Sequence, residues 1–415
     1  MSTKQVRTVS IVVSLLLVGA SCVSGQSPAG STIFRDVTAT HVPSAPTLHA
    51  LDAAFVDVDQ DGDLDVAVAV EGAANRLYLN DGQGRLTWRE GALGTEGHDT
   101  EHVLSADFNQ DGYPDLVFVA EDDMAHSYFL GGPGGEFTDA TDRLPARSEG
   151  NGLDVGDVNG DGLPDVVVGN SGSQRGGERR SGQNFLWLND AARPGHFVDA
   201  TAGSMPAADD DTQDITLADL DGDGDLDMVV ANETPPGRLL LNDGGGRFTE
   251  HPERLELRVP LETRQAHVFD ATGDGHPDIV LLNLTSNNRA WDKDPRVRLL
   301  VNDGRGTFRD ESDARLPGNT FSVWGGTPID FDHDGDLDLI VGPIQVPGFE
   351  PQQVRAYAND GSGRFTDVSE RVIPSETVGR SWGMAVGDLD GDGVEDLFIG
   401  GWGTQARLLL GSGGR

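Results

Sequence analysis

The chain has 415 residues, of which 69 are acidic and 30 are lysine or arginine, and its formal net charge is -39. A surface this acidic repels nucleic acids and anionic lipids, so it argues against both as partners. The 56 glycines and the aromatic content of 6% are typical of many short strands joined by tight turns. We therefore expect an all-β protein with almost no helix.

The N-terminal segment has the pattern of an export signal. Two basic residues precede the apolar run 11–20, which is too short to span a bilayer. We interpret residues 1–22 as a signal peptide, 23–30 as a polar linker and 31–415 as the folded domain, and expect a secreted or cell-envelope protein. Cys22 ends a run that resembles a bacterial lipobox. Two interpretations stay open: a lipid anchor at Cys22 (a periplasmic or outer-membrane lipoprotein), or a thiol removed with an ordinary signal peptide.

An Asp-rich loop of one pattern recurs along the rest of the chain. Its seven copies begin at Asp57, Asp107, Asp157, Asp219, Asp270, Asp330 and Asp388. Successive copies start about 50 to 60 residues apart, a spacing that suits one propeller blade per copy. The repeat therefore predicts one large repetitive domain instead of several unrelated ones.

Each loop is followed by the same two elements. The first is an apolar run such as 65–70, whose composition is typical of a buried central strand. The second is an alternating strand, an Asn-Asp-Gly turn and a strand that opens on Phe, as in 238–250, which predicts a β-hairpin. Together with the strand before the loop, each copy supplies four antiparallel strands, the number in one blade.

The two ends of the chain predict how the ring closes. The last copy ends at residues 406–415 with a turn but without a Phe-led strand, and residues 33–40 have the sequence of the missing strand. Placing residues 33–38 as the outer strand of the last blade would close the ring and protect an open sheet edge. We therefore predict a seven-bladed β-propeller with four-stranded antiparallel blades, closed by its N-terminal strand.

The side chains of the Asp loops predict metal sites. Oxygen-bearing side chains occupy the first, third, fifth and ninth positions, Gly occupies the sixth, and the seventh residue offers its backbone carbonyl. Alternating oxygen ligands on such a loop suit a hard cation of calcium size, without which the carboxylates would repel one another. The predicted ligands are Asp57, Asp59, Asp61, Asp63, Asp65, Asp107, Asn109, Asp111, Tyr113, Asp115, Asp157, Asn159, Asp161, Leu163, Asp165, Asp219, Asp221, Asp223, Asp225, Asp227, Asp270, Thr272, Asp274, His276, Asp278, Asp330, Asp332, Asp334, Asp336, Asp338, Asp388, Asp390, Asp392, Val394 and Asp396.

Calcium, with up to seven ions, is the predicted cofactor. Magnesium suits these loops less, because it retains several waters. For one isolated copy, an Asp-Gly turn without metal would be the better interpretation, but the sevenfold recurrence favours metal binding. We expect the site at Asp270 to be the weakest, because Thr272 places a neutral hydroxyl at its third position. At affinities typical of extracellular modules, the ions would act as structural staples.

The Asp loop, the apolar strand and the hairpin together resemble the FG-GAP/VCBS repeat family, which includes the propeller head of integrin α subunits. The resemblance covers about residues 31–415. It implies the propeller fold and calcium, with adhesion or ligand binding as the commonest role. It leaves the ligand open, because the same propeller also carries some polysaccharide lyases and lectin-like modules.

The strand before each Asp loop predicts a ligand-binding surface at the opposite end of the blades. Residues six and five positions before each first Asp would meet there, beside the long loops 171–183, 285–296 and 343–353. Basic residues in these loops suit an anionic ligand, such as an acidic polysaccharide. Two alternatives stay open: the tryptophans plug the channel, and the arginines belong to solvated loops. The candidate residues are His102, Asp214, Arg264, Gln265, Trp324, Trp382, Arg175, Arg289 and Trp291.

The sequence contains no nucleophile elbow, zinc-binding His pair or phosphate-binding loop that stands out. We therefore predict an exported, monomeric calcium-binding module, which acts in adhesion or in binding an extracellular protein or polysaccharide. The alternative is a polysaccharide lyase on the same scaffold. In that alternative, His102 or His267 would abstract a proton and Arg264 would neutralise a uronate.

Overall fold

The computed structural model of the chain describes residues 32–413, except residues 146, 173, 176–177, 180, 235, 258, 285–295, 319–320, 345–351 and 379–380. The predicted signal peptide, the linker and Cys22 lie outside the described residues. So do Arg289, Trp291 and the side chain of Arg175.

The described chain consists mainly of short strands. In chain order they are β1 (Arg35–Asp36), β2 (His49–Val56), β3 (Asp65–Ala73), β4 (Arg76–Asn80), β5 (Leu86–Trp88), β6 (His98–Ala106), β7 (Asp115–Ala120), β8 (Ser127–Gly132), β9 (Glu136–Asp139), β10 (Gly150–Gly156), β11 (Asp165–Asn170), β12 (Gln174–Arg175), β13 (Glu178–Arg179), β14 (Phe185–Asn189), β15 (Phe197–Asp199), β16 (Thr212–Ala218), β17 (Asp227–Asn232), β18 (Arg238–Asn242), β19 (Phe248–Glu250), β20 (Leu255–Glu256), β21 (Glu262–Phe269), β22 (Asp278–Leu284), β23 (Arg298–Asn302), β24 (Phe308–Asp310), β25 (Val323–Ile329), β26 (Asp338–Pro343), β27 (Arg355–Asn359), β28 (Phe365–Asp367), β29 (Met384–Gly387), β30 (Asp396–Ile399), β31 (Gly401–Trp402) and β32 (Arg407–Leu410).

Helices are few and short. They are α1 (Thr38–His41), α2 (Thr201–Ser204), α3 (Ser312–Arg315) and α4 (Ser369–Val372), together with single 3-10 turns at Pro133–Gly135, Thr141–Arg143 and Pro252–Arg254. The expectation of an all-β protein is confirmed. Within the described residues, no helix combines the length and the apolar character that a membrane crossing requires.

Four-stranded antiparallel groups recur along the chain, as the repeat predicts. Each contains one strand before an Asp loop, one strand after it and a hairpin, as in the orders β10-β11-β14-β15, β16-β17-β18-β19 and β25-β26-β27-β28. We name each group, or unit, by the first Asp of its loop. In the Asp270 unit, the additional strand β20 pairs in parallel with the outer strand β24.

Two units share one sheet instead of standing apart. The strands β2–β5 of the Asp57 unit and β6–β9 of the Asp107 unit are joined where β3 pairs with β6, and β31 pairs with β2. The reason lies in strand length. Strand β3 has nine residues, whereas β7 has six, so its last residues extend beyond its own unit and reach the neighbouring strand.

The N-terminal segment lies on the last sheet, whose order is β1-β32-β30-β29. Arg35 pairs with Leu410 and Asp36 with Leu409, both antiparallel. The strand is shorter than the predicted 33–38, because the Asp36 carboxylate accepts the Thr38 N–H at 2.9 Å, just where α1 begins. Before the strand, the N–H groups of residues 33 and 34 donate to the carbonyls of residues 371 and 372 in the Asp330 unit.

The core lies between neighbouring units and not within one sheet. Every residue of the central strands β7, β11, β17 and β22 is buried, because both faces pack against another unit. Successive side chains point to opposite sides of the strand. Thus Val229 of β17 packs with Ile279 of β22, whereas Val230 packs with the Asp157 unit on the other side.

Candidate functional site

The Asp loops have one common backbone fold. The first-position carboxylate accepts the N–H of the sixth-position Gly, as in the 3.1 Å bond from Gly62 to Asp57 Oδ2, and the same bond is present in all seven loops. Gly62 has a φ of 101°, a left-handed conformation that side-chain-bearing residues rarely adopt. The glycine therefore allows the loop to fold back onto its first carboxylate.

The fifth-position carboxylate is held in a similar way. In the first loop, the N–H of Asp63 donates to Asp61 Oδ1 at 3.0 Å, and the corresponding bond recurs in all the other loops. The side chain at the seventh position turns away and contacts the hairpin turn, since a Cβ on Gly82 would lie 2.3 Å from Asp63 Oδ2. At this position only the backbone carbonyl is a candidate ligand.

The ninth-position Asp connects the loop to the hairpin of the same unit. Asp65 is 1% exposed; its Oδ2 accepts the N–H of Val58 at 3.1 Å, and its Oδ1 accepts the N–H of Asn80 at 2.9 Å. The same pair of bonds is present at each ninth position. The predicted metal ligand at this position thus also organises the unit.

Burial shifts the titration of these ninth-position groups. It raises the pKa, although the backbone N–H donors oppose the shift: to about 6 for Asp65 and Asp227, about 7 for Asp115, Asp165 and Asp396, and about 8 for Asp338. The neighbouring loop carboxylates contribute in the same direction. A divalent cation beside them would favour their ionised form.

The loops bring carboxylate oxygens together in a way that fits a hard cation. In four loops, three carboxylates offer oxygens that lie within 4.8 Å of one another: Asp57 with Asp59 and Asp61, Asp219 with Asp221 and Asp227, Asp330 with Asp332 and Asp338, and Asp388 with Asp390 and Asp396. Among the described residues, the buried oxygens Asp57 Oδ1, Asp221 Oδ1 and Asp330 Oδ1 have no hydrogen-bond donor. Buried anionic oxygens require a partner of positive charge, which calcium would provide.

The remaining three loops have no acid at the third position, which holds Asn109, Asn159 or Thr272. Asn109 donates its Nδ2 hydrogen to Asp111 Oδ2 at 2.9 Å, which leaves the amide oxygen as its candidate ligand. In the Asp270 loop, the N–H of Thr272 donates to Asp278 Oδ2 at 3.1 Å. The expectation that the Asp270 loop binds calcium most weakly stays a prediction.

Three tryptophans from two units and the adjoining strand β31 meet at the end of the units opposite the Asp loops. The ring centroids of Trp324 and Trp382 are 3.9 Å apart, and those of Trp382 and Trp402 are 5.7 Å apart, both with stacked planes. We call these three residues the tryptophan cluster. Leu51 and Leu284 pack beside it. The structure therefore brings together the two tryptophans that the sequence predicts and adds Trp402.

Arg264 is held tightly against this cluster. Its guanidinium lies 4.3 Å from the Trp324 ring centroid and forms ion pairs with Glu262 at 3.0 Å and Glu233 at 3.2 Å. The side chain is only 10% exposed. The cation–π contact and the two carboxylates fix the orientation of the guanidinium beside the tryptophan cluster.

His102, Asp214 and Gln265 connect neighbouring units. His102 Nδ1 lies 3.2 Å from Asp52 Oδ2, Asp214 Oδ2 accepts the Ala266 N–H at 2.9 Å, and Gln265 Oε1 accepts the Gly326 N–H at 3.0 Å. Burial lowers and the Asp52 carboxylate raises the pKa of His102, with a net upward shift. Burial raises the pKa of Asp214 to about 7 and lowers that of His267 to about 4.

These residues nearly fill the space between them. The space among Leu51, Glu101, His102, Asn151, Gln213, Arg264, Gln265, Trp324, Trp382 and Gly383 measures about 10 Å³. A space of this size holds about one water molecule, whereas a sugar ring needs several times more. A ligand at this end would therefore contact the outer surface of the tryptophan cluster. The lyase alternative stays a prediction, which requires a cleft that brings a sugar ring between Arg264 and His102 or His267.

A second set of positions, which the sequence analysis missed, contributes to the same end. Residues fourteen positions after each first Asp include Glu71, Glu121, Glu233 and Trp402. The indole N–H of Trp402 donates to the Glu71 carboxylate. These positions could have been found from the sequence. The strand after each loop runs antiparallel to the strand before it, so the chain returns to the same end of the unit.

The described part of this end is acidic. Asp99, Glu121 and Asp122 offer oxygens within 4.8 Å of one another. Burial, followed by the carboxylates of Glu121, Asp99 and Glu71, raises the pKa of Glu101 well above its usual range. Carboxylates thus prevail among the described residues at this end, and Arg264 is the cation that contacts the tryptophan cluster.

Comparison with known proteins agrees with the repeat. Cartilage acidic protein 1 of Homo sapiens is 30% identical over 256 residues, which are 55% of this chain and 35% of that protein. The Xenopus tropicalis protein is 30% identical over 204 residues, which are 46% of this chain and 28% of that protein. The matched part thus spans about a third of the length of these relatives.

Solved structures resemble the chain in fold. A crystal structure of BBS1N in complex with ARL6DN, soaked with mercury, has a TM-score of 0.53 and 11% identity, and covers 92% of this chain and 97% of that one. The lead-soaked crystal has a TM-score of 0.55 at the same 11% identity. At this identity the likeness concerns the fold alone.

A family model described as the FG-GAP-like repeat matches residues 57–118, 107–168, 175–230, 219–281, 270–341 and 347–399. These matches cover most of the chain and contain all seven Asp loops in full or in part. The resemblance predicted from the sequence is confirmed: the chain belongs to the FG-GAP-like repeat family.

Proposed function

We propose that the chain is an exported, calcium-binding, seven-bladed β-propeller that acts as a binding or adhesion module for an extracellular protein or carbohydrate. The observation that carries the proposal is that the two ends of the units present different kinds of side chain. One end presents loops in which three buried carboxylate oxygens have no donor among the described residues. The other presents three stacked tryptophans in contact with charged side chains, of which Trp324 and Trp402 are partly exposed and Trp382 is buried.

Contacts between the first and last units support ring closure. The N–H of Gly383 in the Asp388 unit donates to the carbonyl of Leu51 in the Asp57 unit at 2.7 Å. Strand β31 pairs with β2, and β1 pairs with β32. Seven Asp loops, one to a blade, support the proposal of seven blades. Closure of this kind protects the edge strands that an open array would expose.

The calcium part of the proposal depends on the donor set. Each loop would hold the ion with side-chain oxygens at the first, third, fifth and ninth positions and with the seventh carbonyl, up to seven ions in all. All of these are hard oxygen donors, which calcium prefers. Bound only by the folded chain, the ions would stabilise it by mass action and relieve carboxylate repulsion.

The proposed binding surface is the outer face of the tryptophan cluster. Aromatic faces stack on sugar rings and on basic or apolar peptide side chains, and they lose little conformational entropy on binding. The acidic surroundings favour neutral or basic groups in the ligand. An anionic ligand stays a proposal for the neighbouring loops that carry Arg175 and Arg289.

An array screen tests the binding proposal. The chain without residues 1–22 would be applied to glycans and extracellular proteins, with calcium and with a chelator. We expect a ligand whose signal falls in Trp324→Ala but is retained in Trp88→Ala. Trp88 is a matched control, because Arg76 lies over its ring at 4.3 Å, the same distance as Arg264 over Trp324.

Two results would count against the proposed surface. One is a ligand signal that the Trp324 substitution leaves unchanged. The other is a signal that both tryptophan substitutions remove equally, which would indicate loss of folding instead of loss of a contact. Thermal melts of both variants separate these cases.

A further inference from the structure

A cavity lies between the Asp219 and Asp270 units, away from both the Asp loops and the tryptophan cluster. Its volume is about 450 Å³. Strand β17 contributes Val229 and Ala231 to one wall, and strand β22 contributes Ile279 and Leu281 to the other. Part of the connection between β19 and β21, including Leu255, covers it. The cavity is therefore a wedge-shaped gap between two units, and the connection between β19 and β21 covers part of it.

The sequence of the two facing strands explains why the wedge is open. At the equivalent junction between the Asp57 and Asp107 units, the small Ala69 packs in a cluster with the aromatic rings of Phe118 and Phe129. Between the Asp219 and Asp270 units, beside the equally small Ala231, the aliphatic Leu281 and Leu300 occupy the positions of Phe118 and Phe129. The aromatic member of this cluster is Phe308 of the outer strand. The missing aromatic volume is not replaced, so space remains between the strands.

The covering segment also differs from its counterparts. In the Asp157, Asp270 and Asp330 units, the outer strand is followed by a short helix, α2, α3 or α4. After β19 the chain forms the 3-10 turn Pro252–Arg254 and then β20, which pairs in parallel with β24. This pairing attaches the segment to the outer edge of the Asp270 unit, so it bridges the wedge from one unit to the next.

The lining of the cavity is mainly apolar, and its polar groups already have partners. Arg238, whose side chain is 8% exposed, forms ion pairs with Asp210 at 2.9 Å and with Glu250 at 2.7 Å. Thr263 donates its hydroxyl hydrogen to Asn283 Oδ1 at 2.9 Å. One cation thus faces two carboxylates. Among the described lining residues, a ligand carboxylate or phosphate would meet excess negative charge at this point.

We propose that this cavity binds a small, uncharged, apolar molecule. Its volume lies in the range of roughly 300–1,000 Å³ that is typical of small-molecule sites. Water is a poor occupant, because an aliphatic wall offers it few hydrogen-bond partners. Among the described residues, the charge balance around Arg238 disfavours anionic amphiphiles. The proposal goes beyond the proposed function, since it uses neither the Asp loops nor the tryptophan cluster.

The first experiment measures binding of the neutral fluorescent probe N-phenyl-1-naphthylamine to the full chain. We expect saturable fluorescence enhancement by the wild type. Ala231→Phe, which fills the cavity, and Val259→Trp, which blocks its mouth at a residue that is 37% exposed, should each weaken binding about tenfold or more. Val378→Trp is the matched control, because Val378 is 43% exposed and lies outside the cavity lining.

The two cavity variants keep the test decisive if one of them folds poorly. Thermal melts identify such a variant, and the other then carries the result. Ala231→Phe should also raise the melting temperature, because it fills an apolar void, whereas Ala69→Phe should lower it by overpacking. Probe binding that is absent in the wild type, or unchanged in a folded cavity variant, overturns the proposal.

A competition experiment tests the chemical class. At neutral pH, 1-decanol should displace the probe, whereas decanoate of the same chain length should do so at least about tenfold less well, because its carboxylate meets Asp210 and Glu250. Equal displacement by decanoate would overturn the assignment to uncharged ligands. Failure of the array screen leaves this result unaffected, so the two proposals fail separately.

Discussion

Asn80, in the hairpin of the Asp57 unit, donates its Nδ2 hydrogen to the carbonyl of Leu389, 309 residues further along the chain, at 2.7 Å. Within the chain, Asn302 makes the equivalent bond to the Leu220 carbonyl of the preceding unit at 2.9 Å. If the first and last units meet as the proposed ring requires, both bonds contribute equally. Asn80→Ala and Asn302→Ala should each lower the free energy of unfolding by about 1–2 kcal/mol, measured in urea. Each amide also donates to a carbonyl of its own unit, so a clearly smaller loss in Asn80→Ala than in Asn302→Ala would show that the ends stay apart in solution.

Docking of the N-terminal segment gives a second test of closure. Phe34 is 1% exposed and packs with Leu409 and Val372. Phe34→Ala should reduce the free energy of unfolding by about 3–5 kcal/mol, as for other buried aromatics. Phe308→Ala, at a residue 0% exposed within a sheet, gives the reference value. A cost below about 1 kcal/mol at Phe34 would mean that the segment does not dock.

Calcium should stabilise the folded chain. With about 1 mM calcium and a Kd near 0.1 mM, each occupied loop contributes about 1.4 kcal/mol through mass action. Differential scanning calorimetry in calcium and in chelator measures the change in melting temperature, and magnesium at the same concentration is the ionic control. Equal melting temperatures in calcium and in chelator would show that bound calcium ions do not stabilise the fold.

A single substitution in the Asp270 loop should strengthen its calcium binding. Thr272→Asp supplies the anion that four of the other third positions hold as Asp, so it should strengthen calcium binding at that loop. In chelator the same variant should be less stable than the wild type, because the new carboxylate repels Asp270 and Asp274. Asp332→Thr, the reverse change in a loop with clustered carboxylates, should show the opposite pattern. Calorimetric titration counts the ions, and an unchanged count and affinity for both variants would remove the loops as ligands.

His126 predicts a specific sensitivity to acid. Its Nδ1 accepts the Ala120 N–H at 3.0 Å, and burial lowers its pKa to about 4. Below pH 6.5 the unfolded chain binds a proton that the folded chain does not, so stability falls as the pH decreases from 6.5 towards 4.

The matched change is His126→Asn, because Asn75 and Asn184 accept the equivalent N–H groups in neighbouring units. Between pH 7.5 and 5.0, the wild type should lose about 2 kcal/mol more of its free energy of unfolding than the variant. Urea denaturation at both pH values measures this difference. The same loss in both proteins would show that His126 is not the sensitive group.

Most of the fold could be predicted because its signals are local. Each Asp loop, apolar strand and Asn-Asp-Gly turn occupies a few consecutive residues, and their recurrence revealed the four-stranded unit. Strand length was less predictable: β3 extends to Ala73 and joins β6, because its end depends on a neighbouring unit. The N-terminal strand stops at Asp36, since the Asp36 carboxylate bonds to the backbone where α1 begins.

The functional end was predicted in part. Trp324 and Trp382 were found by counting backwards from the Asp loops, but Trp402 lies on the returning strand and needed a forward count. The ion pairs of Arg264 and the cavity beside Ala231 depend on side chains from several units. Such packing is decided by the whole arrangement, and no local pattern encodes it.

The ninth-position aspartates have a consequence for how such a chain can change over evolutionary time. Each one binds its own hairpin, and hairpin amides such as that of Asn242 reach back to the preceding loop, here to Val158. A repeat excised alone would keep half of these attachments and lose the rest. Duplication of a whole repeat supplies both halves at once, whereas a partial deletion damages two neighbours, so propellers of this kind are expected to grow and shrink by complete modules.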